Sequence, residues 1–172
     1  MTCWKYVLLG AGLFGADQIL KQMVERDDPE RYPRKARHTG NLLKLYRNHN
    51  DGFPFGFLRN YPQIVKMIPL VMTSAAAGVL ARVMSEKKHA TAADRTAWTL
   101  ITAGGLSNLL DRLRKGYVVD YLSIDRKIVD KVVFNLGDVG VLLGNILTTV
   151  SVFVRDHREA ADSASADQGE LR

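Results

Sequence analysis

At 172 residues the chain is long enough for one domain. Its net charge of +6 invites a nucleic-acid reading, but no helix-turn-helix, zinc-finger or RNA-binding signature is present. Its single cysteine, Cys3, excludes an intrachain disulfide and a cysteine metal site. With 24% charged residues and a mean hydropathy of −0.09, the averages describe a soluble protein. The charges are clustered, however. Long apolar blocks alternate with short charged segments, which is the pattern of a membrane protein. Basic loops flanking apolar blocks suit anionic lipid headgroups.

The first apolar block covers residues 4–20, broken by Lys5 and Asp17. It lacks a clean small-x-small cleavage site, because Phe14 stands where cleavage after Ala16 needs a small residue. We read it as a retained helix. Cys3 lies too early to be a lipid-attachment cysteine behind an apolar stretch. Residues 25–61 form a long polar segment. Leu42-Leu43-x-Leu45-Tyr46 in it is strand-like, and Phe53-Pro54-Phe55-Gly56-Phe57 is an aromatic turn. The second block covers 64–84, with Lys66, Pro69 and Arg82 near its ends.

Residues 85–94 are a short, partly basic loop. The third block, 97–110, contains Gly104 and Gly105, a signal of close helix packing. Residues 114–131 form a polar, hairpin-like link with a strand-like run at 117–122. The fourth block, 132–154, carries Asn135, Asp138 and Asn145. The tail from 156 is rich in Ala, Ser, Asp and Glu and is expected to be disordered.

A spanning helix needs about 20 apolar residues, which the second and fourth blocks reach and the other two approach. Buried helices of a soluble bundle would show a polar face every three to four residues, and 7–14 and 70–81 show none. The expected fold is an all-α membrane protein of four transmembrane helices. Positive-inside counting does not choose its orientation. With the termini inside, the outer segments carry about twice as many Lys and Arg.

Ionisable groups in apolar helices mark function by default. In an antiparallel arrangement one membrane face collects Asp17 and Lys21, Asn108, Asp111 and Arg112, Asn135 and Asp138, and Asp120 in the link. Two carboxylates side by side share a proton, because mutual repulsion raises one pKa. The ionised member can draw a proton from water while the protonated member polarises a peptide carbonyl. His38, His49, His89 and His157 show no metal-ligand spacing and read as solvated, as do Asp125 and Asp130.

Five motifs in order resemble signal peptidase II, the lipoprotein signal peptidase of bacteria. They are Asp17-Gln18-x-x-Lys21; Asn50-x-Gly52 followed by Phe55-Gly56; Gly104-Gly105-x-x-Asn108-x-x-Asp111-Arg112; Gly116-x-Val118-Val119-Asp120-Tyr121; and Phe134-Asn135-x-Gly137-Asp138. The resemblance runs through the four apolar blocks, over about residues 4–154.

The resemblance implies an aspartyl dyad at Asp120 and Asp138. These would cut a prolipoprotein before a diacylglyceryl-modified cysteine, with one water and neither metal nor cofactor. It implies that Asn108, Arg112 and Asn135 orient the dyad and substrate, that Asn50 and Gly52 line the substrate loop, and that Asp17 and Lys21 support, with Asp111 beside them. It implies a β-rich extracytoplasmic cradle over about 25–61 in a peptidase domain of residues 1–155.

It also implies a multi-pass protein of the bacterial cytoplasmic membrane, active at the outer face. The expected partners are lipidated prolipoproteins and membrane lipids, not nucleic acid, and the expected state is a monomer. One departure stands out: Phe53-Pro54 replaces the family's usual Ala-Ala. It motivates a second reading, a catalytically silent or altered-specificity relative that binds lipidated peptides. A third, an ion carrier, would need carboxylates at the bilayer midplane rather than at helix ends.

Overall fold

The computed structural model describes residues 3–36, 39, 42–52, 60–86, 89–125 and 132–170. These form four α-helices and a small sheet. In chain order they are α1 (Trp4–Arg26), a 3-10 turn (Pro29–Arg31), β1 (Arg34–Lys35), β2 (Leu43–Asn50), α2 (Pro62–Ser85), α3 (Ala92–Arg114), β3 (Val118–Ile124), β4 (Val133–Phe134) and α4 (Leu136–Glu170). The sheet is antiparallel throughout, in the order β1-β2-β3-β4. Phe53-Pro54 and His38 lie outside the described residues.

The apolar blocks became helices, with three corrections at their ends. α3 starts earlier than the third block, because Thr91 and Asp94 form a capping box that satisfies its first backbone donors. The fourth block divides. Val133 and Phe134 pair with β3, and α4 begins only after Asn135. Finally, α4 runs on to Glu170, through the tail expected to be disordered.

Polarity is inverted relative to a soluble bundle. Val7 is 67% exposed and Leu142 60%, whereas Asp17, Lys21 and Asn135 are 0% exposed. α2 and residues Leu136–Arg158 of α4 are long and apolar enough to cross a membrane. Only 17% of each apolar window is buried, unlike the core helix of a soluble protein.

α3 is the central helix. Going up α4, Gly137 faces Gly104, Gly140 faces Leu100, Gly144 faces Ala97, and Ser151 bonds Asp94, so the two run antiparallel. A Cβ on Gly104 would collide with the Gly137 carbonyl, so glycine is what allows this approach. α1 runs parallel to α3, since Gly10 lies by Thr99 and Gln18 by Ser107.

Where α3 ends, Gly116 adopts φ 87° and turns the chain into β3. β3 alternates sides, as a strand must. Val119 and Tyr121 enter a small core with Val24 at the end of α1, and Asp120 therefore faces the other way.

Candidate active site

Asp120 sits in the middle of β3, opposite Asn48 of β2, and is buried. Asp138 is the third residue of α4. Its carboxylate accepts from the Asn135 backbone N–H at 3.1 Å, and its own N–H donates to Asn135 Oδ1 at 2.9 Å. This reciprocal pair is a capping box, so the fold of the α4 N-terminus itself places Asp138. The Asn135 Nδ2 group donates to Asp120 Oδ1 at 2.7 Å. One asparagine thus bridges both aspartates.

Three asparagine amides have their orientation fixed by obligate donors. Asn135 Oδ1 is taken by the Asp138 N–H, which leaves Nδ2 for Asp120. Asn50 Oδ1 accepts from the Gly52 N–H at 3.2 Å, which leaves Nδ2 to donate to Asp120 Oδ2 at 3.0 Å. Asn108 Oδ1 accepts from Lys21 Nζ at 2.7 Å, which leaves Nδ2 to donate to Asp138 Oδ1 at 2.8 Å. Each carboxylate is therefore met by donors whose direction is set from behind.

Burial, and then the neighbouring Asp138 charge, push the Asp120 carboxyl up to about 6, against the hydrogen bonds from Asn50 and Asn135. A carboxyl held there exchanges a proton near neutral pH, as acid–base work requires.

Behind the pair lies a fully buried charge network. Lys21 Nζ pairs with Asp17 at 2.8 Å and Asp111 at 3.0 Å, besides its bond to Asn108. Asp17 also accepts from Ser107 Oγ at 2.6 Å and from the Tyr121 hydroxyl at 2.9 Å. Burial and the Asp17 charge hold the Tyr121 hydroxyl well above its usual pKa, so it stays a donor. It accepts in turn from the Leu136 N–H. Asp111 pairs further with Lys115 and accepts from the Val119 N–H. The network joins α1, α3, β3 and the start of α4.

Arg112 donates to the Gly52 carbonyl at 2.6 Å, tying the end of β2 to α3. The structure therefore brings all ten sequence-identified residues into one cluster. Sequence reasoning assigned no role to Ser107 or Tyr121, although both lie inside the quoted motifs. A hydroxyl side chain within these motifs carried no signal of its own.

Three residues read as solvated have partners. His49 meets Glu25 at 2.6 Å and stacks on Tyr117, His157 packs on Phe153, and Asp125 pairs with Lys44. Among the described residues no group of three His, Cys, Asp or Glu side chains is arranged to hold a metal ion.

The comparisons with known proteins converge on one family. Residues 9–154 match the family model described as signal peptidase (SPase) II. A lipoprotein signal peptidase of Clostridioides difficile is 33% identical over 149 residues, covering 86% of this chain and 93% of the relative. One of Mesorhizobium japonicum is 28% identical over 164 residues, covering 95% and 94%. Two solved bacterial membrane enzymes share the fold. Their TM-scores are 0.71 and 0.70, at 20% and 21% identity, covering 87% and 86% of this chain and 87% and 92% of theirs. With a family model spanning most of its length and relatives matched nearly end to end, the chain belongs to the signal peptidase II family, the lipoprotein signal peptidases, and is an aspartic peptidase.

Proposed function

We propose that Asp120 and Asp138 are the catalytic dyad of this peptidase, and that it cleaves prolipoproteins on the amino side of a diacylglyceryl-modified cysteine. The observation that carries this reading is the Asn135 bridge, which holds the buried Asp120 carboxylate beside the half-buried Asp138 carboxylate with donors on both. In the resting pair one carboxyl is protonated and the other ionised. The ionised member takes a proton from water as the water oxygen bonds to the scissile carbonyl carbon. The protonated member gives its proton to the carbonyl oxygen, forming a neutral gem-diol. Proton return through the dyad then protonates the departing amine as the C–N bond breaks. The products are a signal peptide with a new carboxylate and a lipoprotein with a free amino group on its first cysteine.

The supporting residues act through position. Asn108 and Asn135 orient the carboxylates, and Lys21 with Asp17 and Asp111 orients Asn108. Arg112 and Asn50 hold the backbone at Gly52, beside the substrate. The four helices act as four membrane crossings in residues 1–155, with the sheet as an extracytoplasmic cradle and the site at that face of a bacterial cytoplasmic membrane. A monomer suffices, since every residue of the site comes from one chain.

The test uses purified protein in lipid nanodiscs with a diacylglyceryl lipobox peptide. Wild type releases mature product, and Asp120→Asn lowers turnover by at least about a thousandfold while retaining the wild-type melting profile. Binding without turnover by wild type would instead establish the silent-relative reading motivated by Phe53-Pro54.

A further inference from the structure

A cleft of about 440 Å³ opens between α2, the start of α3 and α4, far from the catalytic network. Its volume is that of a small-ligand site. Asp94 lines it, and along α3 Asp94 lies about 25 Å from Asp111. That distance approaches the thickness of a bilayer's hydrocarbon core. The cleft and the dyad therefore sit at opposite ends of the helices.

The lining is graded along two helices. α2 runs antiparallel to α3, for Thr73 lies by Gly105 and the Glu86 carbonyl accepts from Arg95. α4 is antiparallel to α3 as well, so α2 and α4 point the same way. On α2, Val79 is followed one turn later by Arg82, and on α4, Val152 is followed one turn later by Arg155. Each arginine lies in the last turn of a segment long and apolar enough to cross a membrane, Pro62–Ser85 or Leu136–Arg158. The valines thus lie deeper and the arginines nearer the helix ends. Trp98 of α3 lines the same cleft, and tryptophan at this depth favours the membrane–water interface.

Two acids share the cleft, and both are engaged. Asp94 accepts from the Thr91 N–H and hydroxyl at 2.9 Å each, and from Ser151 Oγ at 2.6 Å. Glu86, which follows the last residue of α2, has a partner of its own. The arginines differ. Both are exposed, and among the described residues neither forms a salt bridge or a side-chain hydrogen bond. Arg155 acts on Asp94 only through space. Arginine's planar fork matches phosphate oxygens. Apolar side chains deep in the cleft and two cations at its outer end match a phospholipid, whose acyl chains lie deeper than its phosphate. Basic pockets between membrane helices hold lipid headgroups in this way.

We propose that Arg82 and Arg155 bind the phosphate of an acidic phospholipid in this cleft, in the leaflet opposite the active site. The proposal rests on the reading that the helices cross a membrane and is independent of the dyad.

The test reads the fluorescence of Trp98 in a Trp4→Phe variant, where it is the single tryptophan. The protein is held in phosphatidylcholine nanodiscs carrying a small fraction of phosphatidylglycerol with brominated, quenching acyl chains. Quenching is expected to exceed that by brominated phosphatidylcholine at the same fraction, as a preference of about thirtyfold, the size of two arginine contacts. Arg82→Gln and Arg155→Gln should each lower the preference about fivefold while keeping the melting profile. Lys5→Gln, on α1 and outside the cleft, should leave it unmoved.

No preference in the parent variant, or an equal loss in Lys5→Gln, overturns the proposal. Relief of the quenching by inorganic phosphate in the bath also overturns it, since that would mark a site for a free anion. Trp98 left unquenched in a bilayer made wholly of brominated phosphatidylcholine would mean that this end does not meet lipid, and the crossing reading would fail with the proposal. Full quenching there without a preference for phosphatidylglycerol rejects the proposal alone.

Discussion

Asp120 and Asp138 owe their chemistry to what surrounds them. Burial raises the Asp120 carboxyl to about 6 and Asp138 adds to the shift, while two asparagine donors limit it. The active pair holds one proton, and that form exists only below the higher of the pair's apparent pKa values. Losing the proton therefore removes activity as pH rises. We expect kcat/KM, which reports the free enzyme, to fall as pH rises through about 6. The kcat limb should lie higher, since bound substrate excludes water. A kcat/KM profile flat to pH 8 would contradict this.

The same shift has a stability consequence of opposite sense to that of most carboxylates. A raised folded-state pKa stabilises the fold below the ordinary carboxyl range and loses that contribution as pH rises through about 6. Lys21 gives the residue-scale prediction for stability. Lys21→Met leaves Asp17 buried opposite no ammonium and Asp111 with Lys115 alone, and should cost about 3–5 kcal/mol, read as a lowered melting temperature and poor folded yield.

The helices show where sequence patterning succeeds and where it stops. The four apolar blocks announced α1 to α4, because these helices carry aliphatic side chains on their exposed sides. Their ends were misplaced because capping, not hydropathy, sets them. Thr91 and Asp94 start α3 among polar residues, and Asn135 starts α4 three residues inside an apolar run. In the candidate site the charged residues were evident from their cost in an apolar setting. Ser107 and Tyr121 were not, because their roles appear only when α1, α3 and β3 meet.

Close packing of α3 on α4 makes an element-scale prediction. Gly104→Ala drives a methyl into the Gly137 backbone and should cost about 1–3 kcal/mol, seen as a lower melting temperature with the pH profile unmoved. Asn135→Ala differs in kind. It removes the α4 cap, worth about 1 kcal/mol, and also the donor to Asp120, so activity should fall far more than stability does.

For the molecule as a whole, polarity runs inside out: charge in the interior at one end, aliphatic side chains on the outside. Charge counting over loops did not orient the chain, because its longest polar segment, which contains β1 and β2, is dense in Lys and Arg. The single native cysteine, Cys3, is exposed at the start of α1, and Asp28 lies just past its end. A membrane-impermeant maleimide should label Cys3 from one side of sealed vesicles, and a Cys3→Ala, Asp28→Cys variant from the other. Labelling of both from the same side would mean that α1 does not cross.

The most direct measurement for the dyad compares wild type with Asp138→Asn on a diacylglyceryl lipobox peptide under single-turnover conditions. Wild type should release the mature product. Asp138→Asn should bind the peptide with similar affinity and release none, because the variant keeps a side chain of the same size but cannot serve as an acid or base. Cleavage by Asp138→Asn at a rate near wild type would contradict the assignment.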